Sequence, residues 1–200
     1  MKALLERPAL YRLFARAVGA ERGRSTYVKE YVRPGVGERI LDIGCDPGDI
    51  LDHLPRVDYV GFDINSSYIE SARNRYGTRG QFNCARVSSG PILADQEGTF
   101  DIVLATGVLH HLDDAEAGEL FGIAARALRK GGRLVTFDGC FVDGQSRAAR
   151  YLISNDRGRF VRRPEGYVGL ASRVFDSVVP HIRSDLLRIP YTHIILECAK

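Results

Sequence analysis

Residues 39–48 of this 200-residue chain are Arg-Ile-Leu-Asp-Ile-Gly-Cys-Asp-Pro-Gly. The first five form a short apolar run around one acid, which predicts a buried strand over residues 39–43. Gly44 and Gly48 then mark a tight turn, because glycine adopts positive φ angles at little cost. Residues 48–54 predict a helix that opens directly from this turn. A strand followed by a glycine turn and a helix is the unit from which parallel α/β sheets are built.

The same alternation continues on both sides of this stretch. A helical N-terminal segment, broken near Gly19 and Gly23, comes first. Further strands are predicted over residues 57–63, 81–87, 100–105 and 133–137, and helices over 66–76, 114–128, 145–155 and 164–178. Two late strands, 181–187 and 192–198, flank Pro190 and predict a hairpin. The expected fold is α/β: a doubly wound, mostly parallel seven-stranded sheet with helices on both faces and a C-terminal antiparallel hairpin.

Length and composition exclude several classes of protein. Two hundred residues predict about one domain, and a hydrophobic content of 44% is enough to fill its core. The net charge of +3 is too small to predict nucleic-acid binding. No apolar run approaches the roughly 20 residues of a membrane helix, and charged residues interrupt the N-terminus before a signal region could form. We therefore expect a cytoplasmic protein with neither nucleic acid nor membrane as a partner, of unspecified oligomeric state.

The four cysteines do not predict a metal site or a disulfide framework. Cys45, Cys84, Cys140 and Cys198 are scattered through apolar or strand-like surroundings. None forms the Cys-x-x-Cys spacing of a zinc site. We expect reduced, mostly buried thiols and no bound metal.

Polar residues follow the predicted strands at their carboxyl ends, where ligands bind in open α/β sheets. Asp63 ends the second strand about 20 residues after the glycine turn, a spacing at which one carboxylate can hold both hydroxyls of a ribose. Residues 100–112 form the fourth strand and a loop, Phe-Asp-Ile-Val-Leu-Ala-Thr-Gly-Val-Leu-His-His-Leu. Residues 128–135, Leu-Arg-Lys-Gly-Gly-Arg-Leu-Val, form a helix end, a glycine turn and the fifth strand.

Taken together and in this order, these four stretches resemble the class I S-adenosylmethionine-dependent methyltransferases over residues 38–138. The resemblance implies a single Rossmann-like domain, with an N-terminal helical lid (1–35), a cofactor-binding core (36–140) and acceptor-side helices with a closing hairpin (141–200). It implies S-adenosylmethionine as cofactor and S-adenosylhomocysteine as product. The cofactor contacts that it implies lie in the glycine turn and at the strand ends: Asp42, Gly44, Cys45, Asp46, Gly48, Asp63, Ile64, Arg86, Val87, Thr106 and Gly107.

Two residues depart from the pattern of this family. Asp46 stands where the family usually has glycine, although Asp adopts left-handed backbone more readily than most residues. Arg86 stands where relatives often place an acid that accepts from the adenine amino group, and a guanidinium cannot accept a hydrogen bond. A second interpretation therefore stays open: a non-catalytic cofactor-binding or interaction protein with the methyltransferase fold.

The motifs that do not occur in the sequence exclude other reactions and so narrow the class of acceptor. No cysteine follows a proline, and no Asn-Pro-Pro-Tyr or Asp-Pro-Pro-Tyr follows the fourth strand, so the patterns of DNA methyltransferases are absent from the sequence. No Tyr-x-x-x-Lys pair of a short-chain dehydrogenase occurs. O- or N-methylation of a small molecule is the remaining prediction, with an anionic or sugar-type compound as the candidate acceptor.

An oxygen or nitrogen acceptor must lose a proton, and histidine is suited to take it. His110 and His111 are the predicted catalytic residues, as base or as acceptor anchor, although either can instead cap the loop or face solvent. Candidate acceptor contacts are Tyr27 in the N-terminal helix, Asp138 at the end of the fifth strand, and Arg188 and Tyr191 at the hairpin turn. The arginine-rich turn over residues 157–163 can either clamp an anion or form a solvated loop.

Overall fold

A computed structural model describes residue 13 and residues 15–86, 96–156 and 158–200. Within these ranges the chain forms a seven-stranded sheet. Its strands are β1 (Arg39–Ile43), β2 (Asp58–Asp63), β3 (Gln81–Cys84), β4 (Phe100–Thr106), β5 (Leu128–Gly139), β6 (Ser177–Arg183) and β7 (His193–Ala199).

The strand order across the sheet is β3-β2-β1-β4-β5-β7-β6. The first five of these strands pair in parallel; for example, Leu41 of β1 lies between Val60 of β2 and Val103 of β4. Strand β7 is antiparallel to both β5 and β6. The predicted fold class is confirmed, including the C-terminal antiparallel hairpin. Because β1, β2, β4 and β5 are parallel, their carboxyl ends share one edge, where the ligand sites of α/β sheets lie.

Helices pack on both faces of the sheet. They are α1 (Ala20–Tyr27), α2 (Ser66–Tyr76), α3 (Asp114–Ala127), α4 (Arg147–Ser154) and α5 (Pro164–Ala171). Local sequence sets several starts: the Asn65 side chain accepts from the Ser67 and Tyr68 amides, and Asp113 forms a capping box with Glu116. A short π-helical segment, Val28–Val32, extends α1.

Alternate residues of each central strand enter two separate cores. Leu41 and Val103 belong to the core beneath α3 and α5, where Phe121 is fully buried. Ile40 and Ile102 belong to the opposite core, beneath α1 and α2. Burying each large apolar side chain stabilises the fold by roughly 1.5–3 kcal/mol. These two layers hold the strand ends, and the side chains on them, in place.

The sequence prediction was wrong in detail at five places. The strand predicted over 81–87 ends at Cys84. The predicted helix over 48–54 is a 3-10 turn, Asp49–Asp52. The glycines at 131 and 132 lie inside β5, where the pairing with β4 is irregular, and do not separate a helix from a strand. The predicted helix over 164–178 ends at Ala171, and the late strand predicted over 181–187 is Ser177–Arg183.

The last two differences have one cause. Val178 and Val179 pair with Cys198 and Glu197 of β7, and tertiary pairing of β-branched residues outweighs a local helical pattern. Pro180 is tolerated in β6 because that strand is at the sheet edge and pairs on one side only. None of the described helices is long and apolar enough to cross a lipid bilayer.

Candidate active site

A cavity of about 710 Å³ opens at the carboxyl edge of the parallel strands. Its lining comes from the turn after β1, the ends of β2 and β4, the loop after β4, one face of α3, and Asp156 beyond α4. Of the residues predicted to bind the cofactor or to act in catalysis, those that line it are Gly44, Asp46, Asp63, Ile64, Arg86, Thr106, Gly107, His110 and His111.

The glycine turn after β1 forms one wall of this cavity. Gly44 has a φ of 76°, and a Cβ atom placed there would lie 2.4 Å from the Val108 Cγ2 atom. A side chain at this position would strain the backbone and would force the Val108 side chain to move. Asp46 has a φ of 50°, in the left-handed region that Asp tolerates. The turn predicted from the sequence thus forms with Asp46 in place of glycine.

Asp63 connects the second strand to this turn. Its Oδ2 atom accepts from the Asp46 amide at 3.0 Å, and its Oδ1 atom accepts from the Asn65 amide at 2.8 Å. Burial raises the pKa of the Asp63 carboxyl, while these backbone N–H groups act in the opposite direction. Each carboxylate oxygen has two acceptor positions, so Asp63 can also accept from hydroxyl groups of a ligand. Ile64 follows it with 71% of its surface exposed.

Three residues of the predicted cofactor set support the site from behind. Asp42 is buried and accepts from the Tyr59 hydroxyl at 2.6 Å; burial, with the charges of Asp46 and Asp63, raises its pKa to about 7. Cys45 is buried, with its sulfur packed against Gly61. Gly48 packs against the rings of Tyr76 and Phe82. None of the three is among the residues that line the described cavity.

The loop after β4 forms the opposite wall. The Gly107 amide donates to the Phe137 carbonyl of β5 at 2.7 Å, and Gly107 has a φ of 71°. This link fixes the loop to the neighbouring strand, and Thr106 and Gly107 face the cavity from it. The loop then turns through a single 3-10 turn, Leu109–His111, which carries both histidines.

His110 and Asp138 form a buried pair at the end of β5. The Nδ1 atom of His110 lies 2.8 Å from Asp138 Oδ1, and the His110 amide donates to the same oxygen at 3.2 Å. Asp138 is 1% exposed. Burial raises the pKa of Asp138, and the contact with His110 acts in the opposite direction. Asp138 therefore binds one ring nitrogen of His110, and this contact fixes the orientation of the imidazole.

His111 and Arg86 occupy more exposed positions on the rim. The His111 ring lies 4.2 Å from the His110 ring, centroid to centroid. One guanidinium nitrogen of Arg86 lies 3.9 Å from a carboxylate oxygen of Glu116 on α3, at the outer limit of an ion pair. Val87 lies outside the described residues.

The four candidate acceptor contacts lie at different distances from the cavity lining. Tyr27 is buried, and its hydroxyl donates to the Val135 carbonyl at 2.9 Å. Arg188 is exposed, and its amide donates to the Val18 carbonyl. Neither is among the described lining residues, and Asp138 reaches the cavity only through His110. The Tyr191 hydroxyl donates to Asp156, which does line the cavity.

The arginine-rich turn holds the loop together. The Arg162 guanidinium donates to the Leu109 and Leu112 carbonyls and pairs with Asp114 at 2.7 Å. Arg163 pairs with the exposed Asp143 at 2.5 Å. Both side chains are thus engaged in contacts within the protein. Arg157 lies outside the described residues.

Sequence reasoning missed several residues of the cavity wall. Glu116, Glu119, Leu120 and Ile123 line it from α3, and their spacing of three and four residues places them on one helix face. That periodicity could have been found from the sequence. Asp156 could not be predicted as a lining residue, because it lies after α4 in a stretch that matches no sequence motif. Among the residues that the structure describes, no group of three or more His, Cys, Asp or Glu side chains is placed to hold a metal ion.

Comparison with known proteins agrees with this geometry. The sequence model of a methyltransferase-domain family matches residues 41–134. Ubiquinone biosynthesis O-methyltransferase of Chelativorans sp. (strain BNC1) is 36% identical over 86 residues, which cover 42% of this chain and 34% of that protein. The enzyme of the same name from Brucella ovis is 31% identical over 125 residues, covering 56% and 49%. The chain thus spans a third to a half of the length of these curated relatives.

Solved structures share the fold at low sequence identity. A protein called PH0226 from Pyrococcus horikoshii OT3 superposes with a TM-score of 0.67 at 18% identity, covering 96% of this chain and 92% of that one. Geranyl diphosphate C-methyltransferase from Streptomyces coelicolor A3(2), in complex with Mg²⁺, geranyl diphosphate and S-adenosyl-L-homocysteine, gives 0.67 at 14% identity, covering 90% and 79%. The chain has the fold of the class I methyltransferases. The match of a methyltransferase-domain family over residues 41–134 confirms the resemblance.

Proposed function

We propose that this protein binds S-adenosylmethionine in the 710 Å³ cavity and transfers its methyl group to an oxygen or nitrogen atom of a small-molecule acceptor. One observation carries the proposal. Asp63 at the end of β2 and the His110–Asp138 pair at the end of β5 serve a single cavity. A ribose-binding carboxylate and a proton acceptor thus belong to one site.

The cavity suits a nucleoside ligand. Its volume lies within the range of about 300–1,000 Å³ that is usual for small-molecule sites. The absence of a side chain at Gly44 leaves the backbone of the turn accessible, and Asp63 has acceptor positions for two hydroxyl groups. Strands β2 and β5 are three positions apart in the sheet, which corresponds to about 14 Å. That span separates a nucleoside end from an acceptor end.

Bound S-adenosylmethionine supplies a methyl group on a positively charged sulfur; the carbon–sulfur bond breaks as the bond from the acceptor atom to the methyl carbon forms, and S-adenosylhomocysteine leaves. The carboxylate of Asp63 provides a negative surrounding for a cationic ligand. Most of the rate in such a displacement comes from positioning the two reactants.

His110 takes the proton that the acceptor loses. Its Nδ1 atom is held by Asp138, so we assign proton acceptance to Nε2. Asp138 acts as a positioning residue: it fixes the ring and stabilises the positive charge that the imidazole gains. His111 lies on the exposed side of this pair, and we assign it a secondary role as an anchor for the acceptor.

The charge of the lining favours a hydroxyl- or amine-bearing acceptor of the sugar type over an anionic one. The described lining contains five carboxylic side chains, Asp46, Asp63, Glu116, Glu119 and Asp156, against a single guanidinium, Arg86. An anion in this cavity would be repelled by the excess of acidic side chains. As expected from the sequence, we propose a cytoplasmic location. We propose no nucleic acid or membrane as a partner.

Methyl transfer tests this proposal against the non-catalytic alternative. The full chain is incubated with methyl-labelled S-adenosylmethionine and a panel of small phenols, amines and sugars. We expect labelled product with at least one acceptor, and loss of that product in the His110→Ala variant. Tight cofactor binding without transfer to any member would favour the non-catalytic interpretation.

A further inference from the structure

Asp156 lies in the cavity wall in a position that no sequence pattern indicated. It follows helix α4, where its amide donates to the Ile153 carbonyl at 3.1 Å and closes the helix end. Its carboxylate accepts a hydrogen bond from the Tyr191 hydroxyl. The backbone and the side chain of Asp156 are therefore both held, as specific recognition of a ligand requires.

Tyr191 is itself held in a fitted position. Its hydroxyl lies over Gly139 of β5, where a Cβ atom would approach to 2.5 Å, so a glycine is required there to make room. Its ring packs on the buried His193 ring, with the centroids 4.8 Å apart. Burial, and then the neighbouring charge of Asp156, raise the pKa of the Tyr191 phenol. The phenol therefore stays protonated at neutral pH and donates to Asp156.

Asp156 belongs to the acceptor end of the cavity. The chain just beyond it covers His110: a Cβ atom on Gly158 would lie 2.1 Å from His110 Cδ2, and the Phe160 amide donates to the His110 carbonyl at 3.0 Å. Tyr191 precedes β7, which lies beside the carboxyl end of β5. Asp156 and His110 are thus on one wall, near the ends of β4 and β5, whereas Asp63 ends β2.

We propose that Asp156, positioned by Tyr191, binds the acceptor through a hydroxyl or ammonium group other than the atom that is methylated. This assignment rests on the proposed function and names the acceptor class more narrowly. An ionised carboxylate accepts hydrogen bonds only, at about four positions, so it can take a ligand N–H or O–H in addition to the Tyr191 hydroxyl. A carboxylate or phosphate group at the same place would be repelled.

The test compares four probes that each differ from glucose in one group: methyl glucoside, glucosamine, glucuronate and glucose 6-phosphate. Binding to the full chain is measured by ligand-observed NMR, both with saturating S-adenosylhomocysteine and without it. We expect glucosamine to bind at least about tenfold more tightly than glucuronate, as one hydrogen bond to a charged group allows. We expect Asp156→Asn to reduce this ratio to about threefold or less. Tyr191→Phe should reduce it by a smaller factor.

Two controls separate this assignment from misfolding and from failure of the proposed function. Asp143→Asn removes a carboxylate that is exposed and outside the cavity lining, and should leave the ratio unchanged. Thermal melting and S-adenosylhomocysteine affinity should be the same in Asp156→Asn as in the wild type. An unchanged ratio in Asp156→Asn, equal or tighter binding of the anionic probes, or binding of no probe would overturn the assignment. A lack of S-adenosylhomocysteine binding would contradict the proposed function instead.

Discussion

The Nδ1 atom of His110 lies 2.8 Å from the Oδ1 atom of Asp138, and the His110 amide donates to the same oxygen. One carboxylate oxygen thus fixes both the backbone and the ring of a residue in the loop after β4. Because Asp138 ends β5, the relationship joins two adjacent strands of the sheet. It places the imidazole in the wall of the cavity, in an orientation that the fold itself maintains.

Replacing His110 by alanine should lower kcat by about 10²- to 10⁴-fold, the usual contribution of a general base. The affinity for S-adenosylmethionine should change little, because Asp63, the proposed ribose contact, ends β2, two strands away from β4. His111→Ala is the matched comparison, and its kcat should fall far less. Steady-state kinetics with the acceptor identified from the panel measures kcat for both variants. Full turnover in both variants would exclude either histidine as the base.

Gly44→Ala should abolish measurable cofactor binding and lower the free energy of unfolding. The added methyl group would meet Val108 Cγ2 at 2.4 Å, and the backbone φ of 76° is strained for alanine. Gly118→Ala is the control, since Gly118 lies in α3 with no atom within 4 Å of the new Cβ. That control should stabilise the protein by about 0.5–1 kcal/mol. Urea unfolding and cofactor titration compare the two variants. Equal stability and equal cofactor affinity of Gly44→Ala and Gly118→Ala would contradict this account of the turn.

Asp46→Gly tests whether the departure from the family pattern matters for binding. Asp46 supports the site through its backbone amide, which donates to Asp63 and which glycine retains. We therefore expect S-adenosylmethionine affinity to stay within about threefold, less than the tenfold that corresponds to 1.4 kcal/mol. Titration calorimetry gives this ratio. A tenfold or greater loss would show that the Asp46 carboxylate contacts the ligand.

The buried Asp42 should make stability fall as pH rises. Its pKa is raised from 3.8 to about 7, so the folded state binds a proton that the unfolded state has released between these values. Stability is greatest below pH 4 for this group and declines until about pH 7, by roughly 4 kcal/mol at most. Asp42→Asn should flatten that decline while retaining an acceptor for the Tyr59 hydroxyl. Urea unfolding at pH 4.5 and pH 8 gives the free energy of unfolding of each protein. An equal change between the two pH values in the wild type and in Asp42→Asn would contradict the prediction.

The sequence predicted the centre of the fold closely and its tail poorly. Strand β1 and helix α2 have the predicted bounds, because an apolar run before a glycine turn and an Asn cap are local signals. Helix α5 and strand β6 were misplaced, because Val178 and Val179 take strand form only through pairing with β7. Local sequence does not contain that pairing.

The same contrast holds for the site. Asp63 and Gly44 line the cavity as expected, because their places follow from position along the chain, after a strand or within a turn. Asp156 and its partner Tyr191 were not found as a pair, because 35 residues separate them and only the sheet brings them together. Asp138 was named as an acceptor contact, whereas the structure places it behind His110.

The most direct test of the central claim is calorimetric titration of the full chain with S-adenosylmethionine and, separately, with S-adenosylhomocysteine. We predict micromolar dissociation constants, near −8 kcal/mol, and at least about tenfold weaker binding in Asp63→Ala. Asp58→Ala, which removes an exposed acid from the opposite end of the same strand, should bind as the wild type does. No detectable binding of either compound to the wild type would contradict the account.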